Sequence, residues 1–179
     1  MTTTAEPWTS SAPEAVGRQL VQLPLPVMEA LNNGELETAR TLSTQALTPF
    51  LIGEECRFVW EMRIAQINRD PRDKVWVGRL VVDSRTGTVV GRAGFHGRPD
   101  ENGMVEIGYA IDPKWRRQGH ARAAVRILLD AAKADPSVRV VRASVRPDNI
   151  PSRRLVDGFG FQELGEQRDG EDLLEVSAS

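Results

Sequence analysis

Apolar residues in the first part of the chain recur at the three-to-four-residue spacing of amphipathic helices. After a short predicted edge strand at residues 19–23, this pattern predicts helices over residues 27–32, 35–47 and 54–68. Asp70-Pro71 ends the last of them, because proline cannot continue a helix. We therefore expect a helical layer before most of the sheet.

Beyond Asp70-Pro71 the pattern changes to valine-rich runs that are typical of strands. Residues 75–83 and 88–96 flank Ser84-Arg85-Thr86-Gly87, a predicted hairpin loop, and a third strand follows at residues 104–112. The remaining pattern predicts a helix at 119–134, a strand at 138–145, a short helix at 149–157 and a final hairpin turning at Asp169-Gly170.

This order of elements predicts one mixed α/β (α+β) domain over residues 18–179. We find no internal repeat and no linker that would divide it. Residues 1–17 are rich in Thr, Ser, Ala and Pro, a composition that predicts a flexible lead-in.

Overall charge gives no reason to expect nucleic acid or an anionic membrane as a partner, since the formal net charge is −2. Local charge is more informative. Residues 114–126 hold five basic side chains and no acid, whereas residues 29–61 hold six acids against two arginines. A basic pocket beside an acidic face predicts an anionic cofactor and mildly favours a cationic substrate, although either run could be a solvated surface.

Cys56 is the only cysteine, so an internal disulfide is excluded and a reducing compartment fits. With two histidines beside it, a zinc site is not expected. No run approaches the roughly 18 apolar residues that span a bilayer, and the N-terminus lacks a signal-peptide pattern. We expect a cytoplasmic protein without a metal cofactor.

The strongest local signal lies between a predicted strand and a predicted helix. The residues concerned are Arg116, Arg117, Gln118, Gly119, His120 and Ala121. Unpaired N–H groups in the first turn of a helix bind anions, Gly119 permits close approach, and the arginines add charged donors. The segment lacks the Gly-Lys-Ser/Thr ending of a Walker loop and the three glycines of a dinucleotide fingerprint.

These six residues fit the pattern Arg/Gln-x-x-Gly-x-Gly/Ala and resemble the acyl-CoA pyrophosphate loop of GNAT-superfamily N-acetyltransferases. The strand at residues 105–111 resembles that family's central strand, and Asn149-Ile150-Pro151-Ser152 resembles its second cofactor-side motif. The three motifs stand in the family's order and at its usual distances. The chain is most similar to the ribosomal-protein N-terminal (RimJ/RimL-type) branch.

The resemblance implies a GNAT fold: a mixed, mostly antiparallel sheet with helices on both faces and a splayed central strand pair. It also implies a bulge in the central strand and pantetheine lying in the splayed gap. Backbone groups of Tyr109, Ala110 and Ile111 would then face the thioester, residues 116–121 the pyrophosphate, and Asn149 and Ser152 the pantetheine. Asn149 could equally be a plain helix cap.

Two side chains are the predicted catalytic groups. Glu106 shares a strand face with Gly108 and Ala110, and desolvation could raise its pKa enough to accept the amine proton. A surface or ion-paired glutamate is the alternative. The family's helix tyrosine is replaced by Val156, so Ser152 is the predicted proton donor to the CoA thiolate, unless it only caps its helix. His96 is interpreted as packed or exposed, with assistance to proton transfer as the alternative.

The sequence thus predicts direct transfer of an acetyl group from acetyl-CoA to a primary amine, on a protein N-terminus or a small molecule. The alternative from another class is a non-catalytic acyl-CoA-binding module on the same fold. A third hypothesis is an unrelated phosphate-ligand protein. We also consider a homodimer that pairs through the sheet edge or the final hairpin.

Overall fold

The computed structural model describes residues 5–179. Its helices are α1 (Leu25–Asn32), α2 (Leu36–Leu42), α3 (Glu54–Arg69), α4 (His120–Ala134) and α5 (Ile150–Asp157). Its strands are β1 (Arg18–Gln22), β2 (Arg79–Asp83), β3 (Thr88–Phe95), β4 (Met104–Ile111), β5 (Val140–Val145), β6 (Gln162–Arg168) and β7 (Glu171–Ser177). Within this described part, no helix has the length and apolar character that a membrane crossing requires.

The strands form one sheet in the order β1-β2-β3-β4-β5-β7-β6. All neighbours are antiparallel except β4 and β5, which run parallel. The predicted meander (β2-β3-β4) and closing hairpin (β6-β7) are confirmed, and so is the mixed, mostly antiparallel sheet.

The central strands β4 and β5 separate part of the way along their length. Their pairing runs from Met104↔Val140 to Ile107↔Ala143 and then stops, although both strands continue. The predicted splay is therefore confirmed. The predicted bulge in the central strand is not seen on its β3 side, where the register is continuous. A shift lies instead in the pairing of β2 with β3, opposite Val81 and Val82, where Val90 of β3 is the extra residue.

Apolar side chains cover both faces of the sheet, as the resemblance implies. One core lies between the sheet and α4, with Phe95, Ile107 and Leu128 among its buried members. The other lies against α1–α3 and surrounds Trp60, whose indole N–H donates to the carbonyl of Leu51. Alternation along β4 follows from this layering: Ile107 faces α4, while Glu106 points to the opposite face.

Two predicted element boundaries are wrong. The helix predicted over residues 35–47 ends at Leu42, because the following segment turns to bring Ala46 beside Thr88 of the sheet. The strand predicted from residue 75 begins only at Arg79. Its first residue belongs to a 3₁₀ turn, Pro71–Val75, whose start is capped by the Asp70 side chain accepting from the Arg72 N–H.

Residues 5–17, predicted as a flexible lead-in, contact the sheet and α4; residues 1–4 lie outside the described residues. Trp8 pairs its backbone with Leu20 of β1, and its ring packs edge-on against Phe95. Ser10 donates a hydrogen bond to Asp130 of α4. Composition does not reveal such contacts, because it does not weigh one large aromatic side chain that packs against the core.

Candidate functional site

A cleft of about 1490 Å³ opens where β4 and β5 separate. Its floor includes Gly108, Tyr109 and Ala110 of β4, and Ser144 of β5. One end reaches the start of α4, and the other reaches α3 and the end of β3. The cleft therefore joins the predicted anion loop to the region where an acceptor would enter.

The loop before α4 has the backbone shape of an anion-binding turn. Arg117 and Gly119 both adopt left-handed conformations, with φ of 60° and 82°. Gly119 is the residue before the helix, so the N–H groups of the first turn have no partner within the helix. Arg117, Gly119 and Ala121, all predicted cofactor contacts, line the cleft.

Two residues of the loop also have structural partners, Arg116 through its side chain and Gln118 through its backbone. The Arg116 Nε donates to the carbonyl of Ile111 at 3.0 Å, which ties the loop to the end of β4. Gln118 does not line the cleft, although it was a predicted cofactor contact; its carbonyl accepts from Arg18 Nη2 at 3.0 Å. Gln118 therefore shapes the loop through its backbone.

His120 turns its ring inward, away from the loop surface. The residue is 3% exposed, and its Nδ1 accepts from Arg18 Nε at 3.4 Å. Burial, reinforced by the Arg18 charge, lowers the pKa of His120. The ring is held in the fold, and only the backbone of His120 is available to an anion.

Tyr109 and Ser152 meet across the gap between β4 and α5. The tyrosine hydroxyl and the serine Oγ are 2.7 Å apart. Asn149, rather than Ser152, caps α5, since its side-chain oxygen accepts from the Ser152 N–H at 3.2 Å. Burial raises the pKa of Tyr109, and the hydrogen bond with Ser152 opposes that shift. The contact of Tyr109 with Ser152 was not predicted from the sequence.

Glu106 does not have the raised pKa that its position on the strand predicted. It is 6% exposed, and its carboxylate accepts from Ser144 Oγ at 2.6 Å and from Arg168 Nη2 at 2.6 and 2.8 Å. Burial acts to raise the pKa of Glu106, but the hydrogen bonds from Arg168 and Ser144 outweigh burial, and the pKa is lowered. The carboxylate stays ionised and paired.

His96 lies in the cleft directly beside Glu106. Its Nδ1 is 3.4 Å from the Glu106 carboxylate, and the imidazole covers Gly108 so closely that a Cβ there would lie 2.7 Å from Nε2. The side chain remains 42% exposed. Burial in the cleft lowers the pKa of His96, and Glu106 opposes that shift. His96 is therefore neutral and able to accept a proton near pH 7.

The interpretation of His96 as a packed or exposed strand residue missed this position. The only available signal was the register of β3 and β4. Gly94 pairs with Gly108, so the residue two positions after Gly94 falls over the same face as Glu106. The spacing of residues along the chain does not show that His96 lies beside Gly108, because the two belong to different segments.

A family model described as an acetyltransferase (GNAT) domain matches residues 7–162. Among curated relatives, an uncharacterised N-acetyltransferase of Bacillus subtilis, YjdG, is 35% identical over 82 residues, which are 46% of this chain and 49% of that protein. The chain spans about half the length of the curated relatives it matches.

Solved structures of the same fold cover nearly the whole chain. RimJ of Mycobacterium smegmatis, in complex with CoA-disulfide, has a TM-score of 0.63 at 20% identity and covers 98% of this chain and 88% of its own. RimL, a ribosomal L7/L12 α-N-protein acetyltransferase in complex with coenzyme A, has a TM-score of 0.63 at 18% identity, covering 96% and 98%. At these identities the likeness establishes the fold.

Proposed function

Because the chain belongs to the acetyltransferase (GNAT) family, we propose that it transfers an acetyl group from acetyl-CoA directly to a primary amine. The observation that carries this proposal is the continuous cleft. It connects an anion loop, a gap between two splayed strands and a neutral histidine. The proposed transfer uses all three parts.

In this proposal acetyl-CoA binds along the cleft from α4 towards β4. The backbone of Gly119, His120 and Ala121 would hold the pyrophosphate, with Arg116 and Arg117 supplying charge. Pantetheine would occupy the gap beyond Ile107↔Ala143, where strand N–H and C=O groups are not paired across to β5. RimJ and RimL, solved with CoA-containing ligands, support this placement through their shared fold.

The reaction requires that the amine nitrogen attack the thioester carbonyl while losing a proton. We assign proton acceptance to His96, directly or through water, and the orientation and charge stabilisation of the imidazolium to Glu106. A backbone N–H of Tyr109–Ile111 would stabilise the oxyanion of the tetrahedral intermediate. This assignment replaces Glu106 as the direct base, because its carboxylate is held by Arg168.

On the donor side, collapse of the intermediate breaks the carbon–sulfur bond and releases the CoA thiolate. Ser152 keeps the role predicted for it, with Tyr109 at 2.7 Å able to replenish its proton. The two hydroxyls face the α4 and α5 side of the sheet, whereas His96 lies on the opposite face. Proton removal and proton delivery are thus separated by the strand that would hold the thioester.

Calorimetric titration with acetyl-CoA tests the first half of the proposal. We expect micromolar binding that the Arg116→Ala/Arg117→Ala double variant loses and that Arg69→Ala, an exposed arginine at the end of α3, retains. An amine panel read by mass spectrometry tests the second half. Binding without any acetylated product would favour the non-catalytic module, and no binding at all would contradict the proposal.

A further inference from the structure

Two arginines lie in the acceptor half of the cleft. Arg92 is on β3, paired in register with Ala110, so its side chain shares a face with Gly108 and His96. Arg63 reaches the same region from α3, where its Nη1 donates to the His96 carbonyl at 3.3 Å. Both arginines line the cleft, on the face of the sheet opposite α4.

Neither guanidinium has a carboxylate partner among residues 5–179. The hydrogen bonds of Arg63 go to neutral acceptors, Gln66 Oε1 and the His96 carbonyl. The Nε of Arg92 is buried without a hydrogen-bond partner. Their neighbours differ: Arg168 is paired with Glu106, and Arg142 with Glu175. Arg63 and Arg92 are therefore two cations in the acceptor half of the cleft without a carboxylate partner.

Holding these charges together is unfavourable in the absence of an anion. Burial lowers the pKa of Arg63 and the positive charge of Arg92 lowers it further, whereas the charges of Glu106 and Asp73 oppose these effects only in part. A half-buried cation that is not neutralised by the protein is stabilised by an anionic ligand. Arginine is also suited to this task, since its planar group binds carboxylate or phosphate through two parallel hydrogen bonds.

The other charged groups of the cleft do not supply that anion. Glu106 is engaged by Arg168, Glu55 is exposed at the start of α3, and Glu171 begins β7; neither Glu55 nor Glu171 pairs with Arg63 or Arg92 in the described structure. The phosphates of a bound acetyl-CoA would lie at the loop before α4. The acceptor molecule is therefore the remaining source of an anion for Arg63 and Arg92.

We propose that Arg63 and Arg92 bind an acidic group, carboxylate or phosphate, carried by the acceptor amine. The inference rests on the proposed acetyl transfer and gives its substrate a class: acidic amines, such as amino acids, acidic peptides or phosphorylated amines. This acidic acceptor is opposite in charge to the cationic substrate that the acidic residues 29–61 mildly favoured. Those acids are distributed over the helical layer, whereas the charge inside the cleft next to His96 is positive.

The test uses matched acceptors that differ in one charge: β-alanine with β-alaninamide, and phosphoethanolamine with ethanolamine, plus spermidine as a cationic amine. Thiol release from acetyl-CoA gives kcat/KM for each. We expect the acidic member of a pair to be used about tenfold better or more, the ratio that one good charge-assisted contact produces. Which pair shows the larger ratio distinguishes carboxylate from phosphate.

Variants assign the preference to the two arginines. Arg92→Gln and, separately, Arg63→Gln should each reduce the acid-to-neutral ratio to about twofold or less, with acetyl-CoA affinity unchanged, while Arg69→Gln on the same helix α3 keeps it. Arg92→Lys retains the charge and should keep part of the ratio, which guards against a folding defect in Arg92→Gln.

Two outcomes would overturn the inference in distinguishable ways. Equal use of acidic and neutral amines, or preference for spermidine, removes the acidic acceptor and leaves acetyl transfer intact. Transfer to none of the amines, with acetyl-CoA bound, overturns the proposed transfer itself and the inference that depends on it.

Discussion

At the scale of single residues, the proposed proton transfer depends on His96 as the acceptor and on Glu106 as the charge beside it. A lowered pKa keeps His96 in its basic, neutral form at neutral pH, and a lowered pKa keeps Glu106 charged beside it. The Glu106 carboxylate is a poor proton acceptor because protonation would break its ion pair with Arg168. The His96 imidazole is a better one, because the fixed carboxylate beside it orients the ring and stabilises the imidazolium.

The pH dependence of kcat/KM follows from this arrangement. The pKa of His96 lies below its ordinary 6.5, so activity should fall only below about pH 6.5, as His96 becomes protonated. His96→Gln should lower kcat by on the order of 100-fold and abolish that acid limb. Glu106→Gln removes the charge that raises the pKa of His96, so the limb should move to lower pH.

Pre-steady-state or steady-state pH profiles measure these limbs. Glu101→Gln, a carboxylate in the exposed turn before β4, should keep the wild-type profile. If Glu106→Gln has the profile of the wild type at every pH, neither the base role first predicted for Glu106 nor its influence on His96 is correct.

At the scale of elements, the site depends on close approach between β3 and β4. Gly108 has no side chain, and that space is filled by the ring of His96, the residue that follows β3. A Cβ at this position would lie 2.7 Å from His96 Nε2, closer than atoms in contact allow, so the ring would have to move. Apart from the residues next to Gly108 in the chain, only His96 side-chain atoms lie within 4 Å of that Cβ position, so neither the strand backbone nor the predicted anion loop would have to move.

Gly108→Ala should therefore reduce kcat by on the order of tenfold to 100-fold while leaving acetyl-CoA affinity nearly unchanged, because displacement of a catalytic group by about 1 Å costs rate and not cofactor binding. The control is the double variant His96→Gln/Gly108→Ala. It should be no slower than His96→Gln alone, since the glycine acts through the ring. Additive losses would show that Gly108 has a separate role.

At the scale of the whole molecule, the segment before β1 closes the sheet at the α4 side. Arg79 is 1% exposed on β2, and its guanidinium lies 3.4 Å from the centre of the Trp8 ring. Burial lowers the pKa of Arg79 to about 10. Its remaining contacts are carbonyls: Leu20 at 3.3 Å and Val75 at 2.9 Å. Trp8 therefore shields a buried cation as well as packing against Phe95.

Trp8→Ala should lower the free energy of unfolding by about 3 kcal/mol, because it removes the aromatic packing and leaves Arg79 without its ring contact. For a chain of this size the melting temperature would fall by about 6–12 °C. Calorimetric melting measures the change, and Trp8→Phe should recover part of it. An unchanged melting temperature would restore the flexible lead-in that the composition predicted.

The sequence by itself determined the order of helices and strands, the sheet class and the place of the predicted anion loop. These features are encoded locally: apolar periodicity sets each element, and residues 116–121 are contiguous, so their arrangement follows from one turn and the start of one helix. Element boundaries were predicted less accurately where a short turn, such as Pro71–Val75, ends in an apolar residue typical of a strand.

Only the tertiary structure decided the protonation states and partners in the site. Arg168 reaches Glu106 from 62 positions along the chain, and Ser152 reaches Tyr109 from 43. A pKa depends on burial and on neighbouring charges, and both are set by residues that the fold brings together from distant segments. For the same reason, the sequence did not predict an acceptor site at Arg63 and Arg92, which the fold brings from α3 and β3 to one cleft.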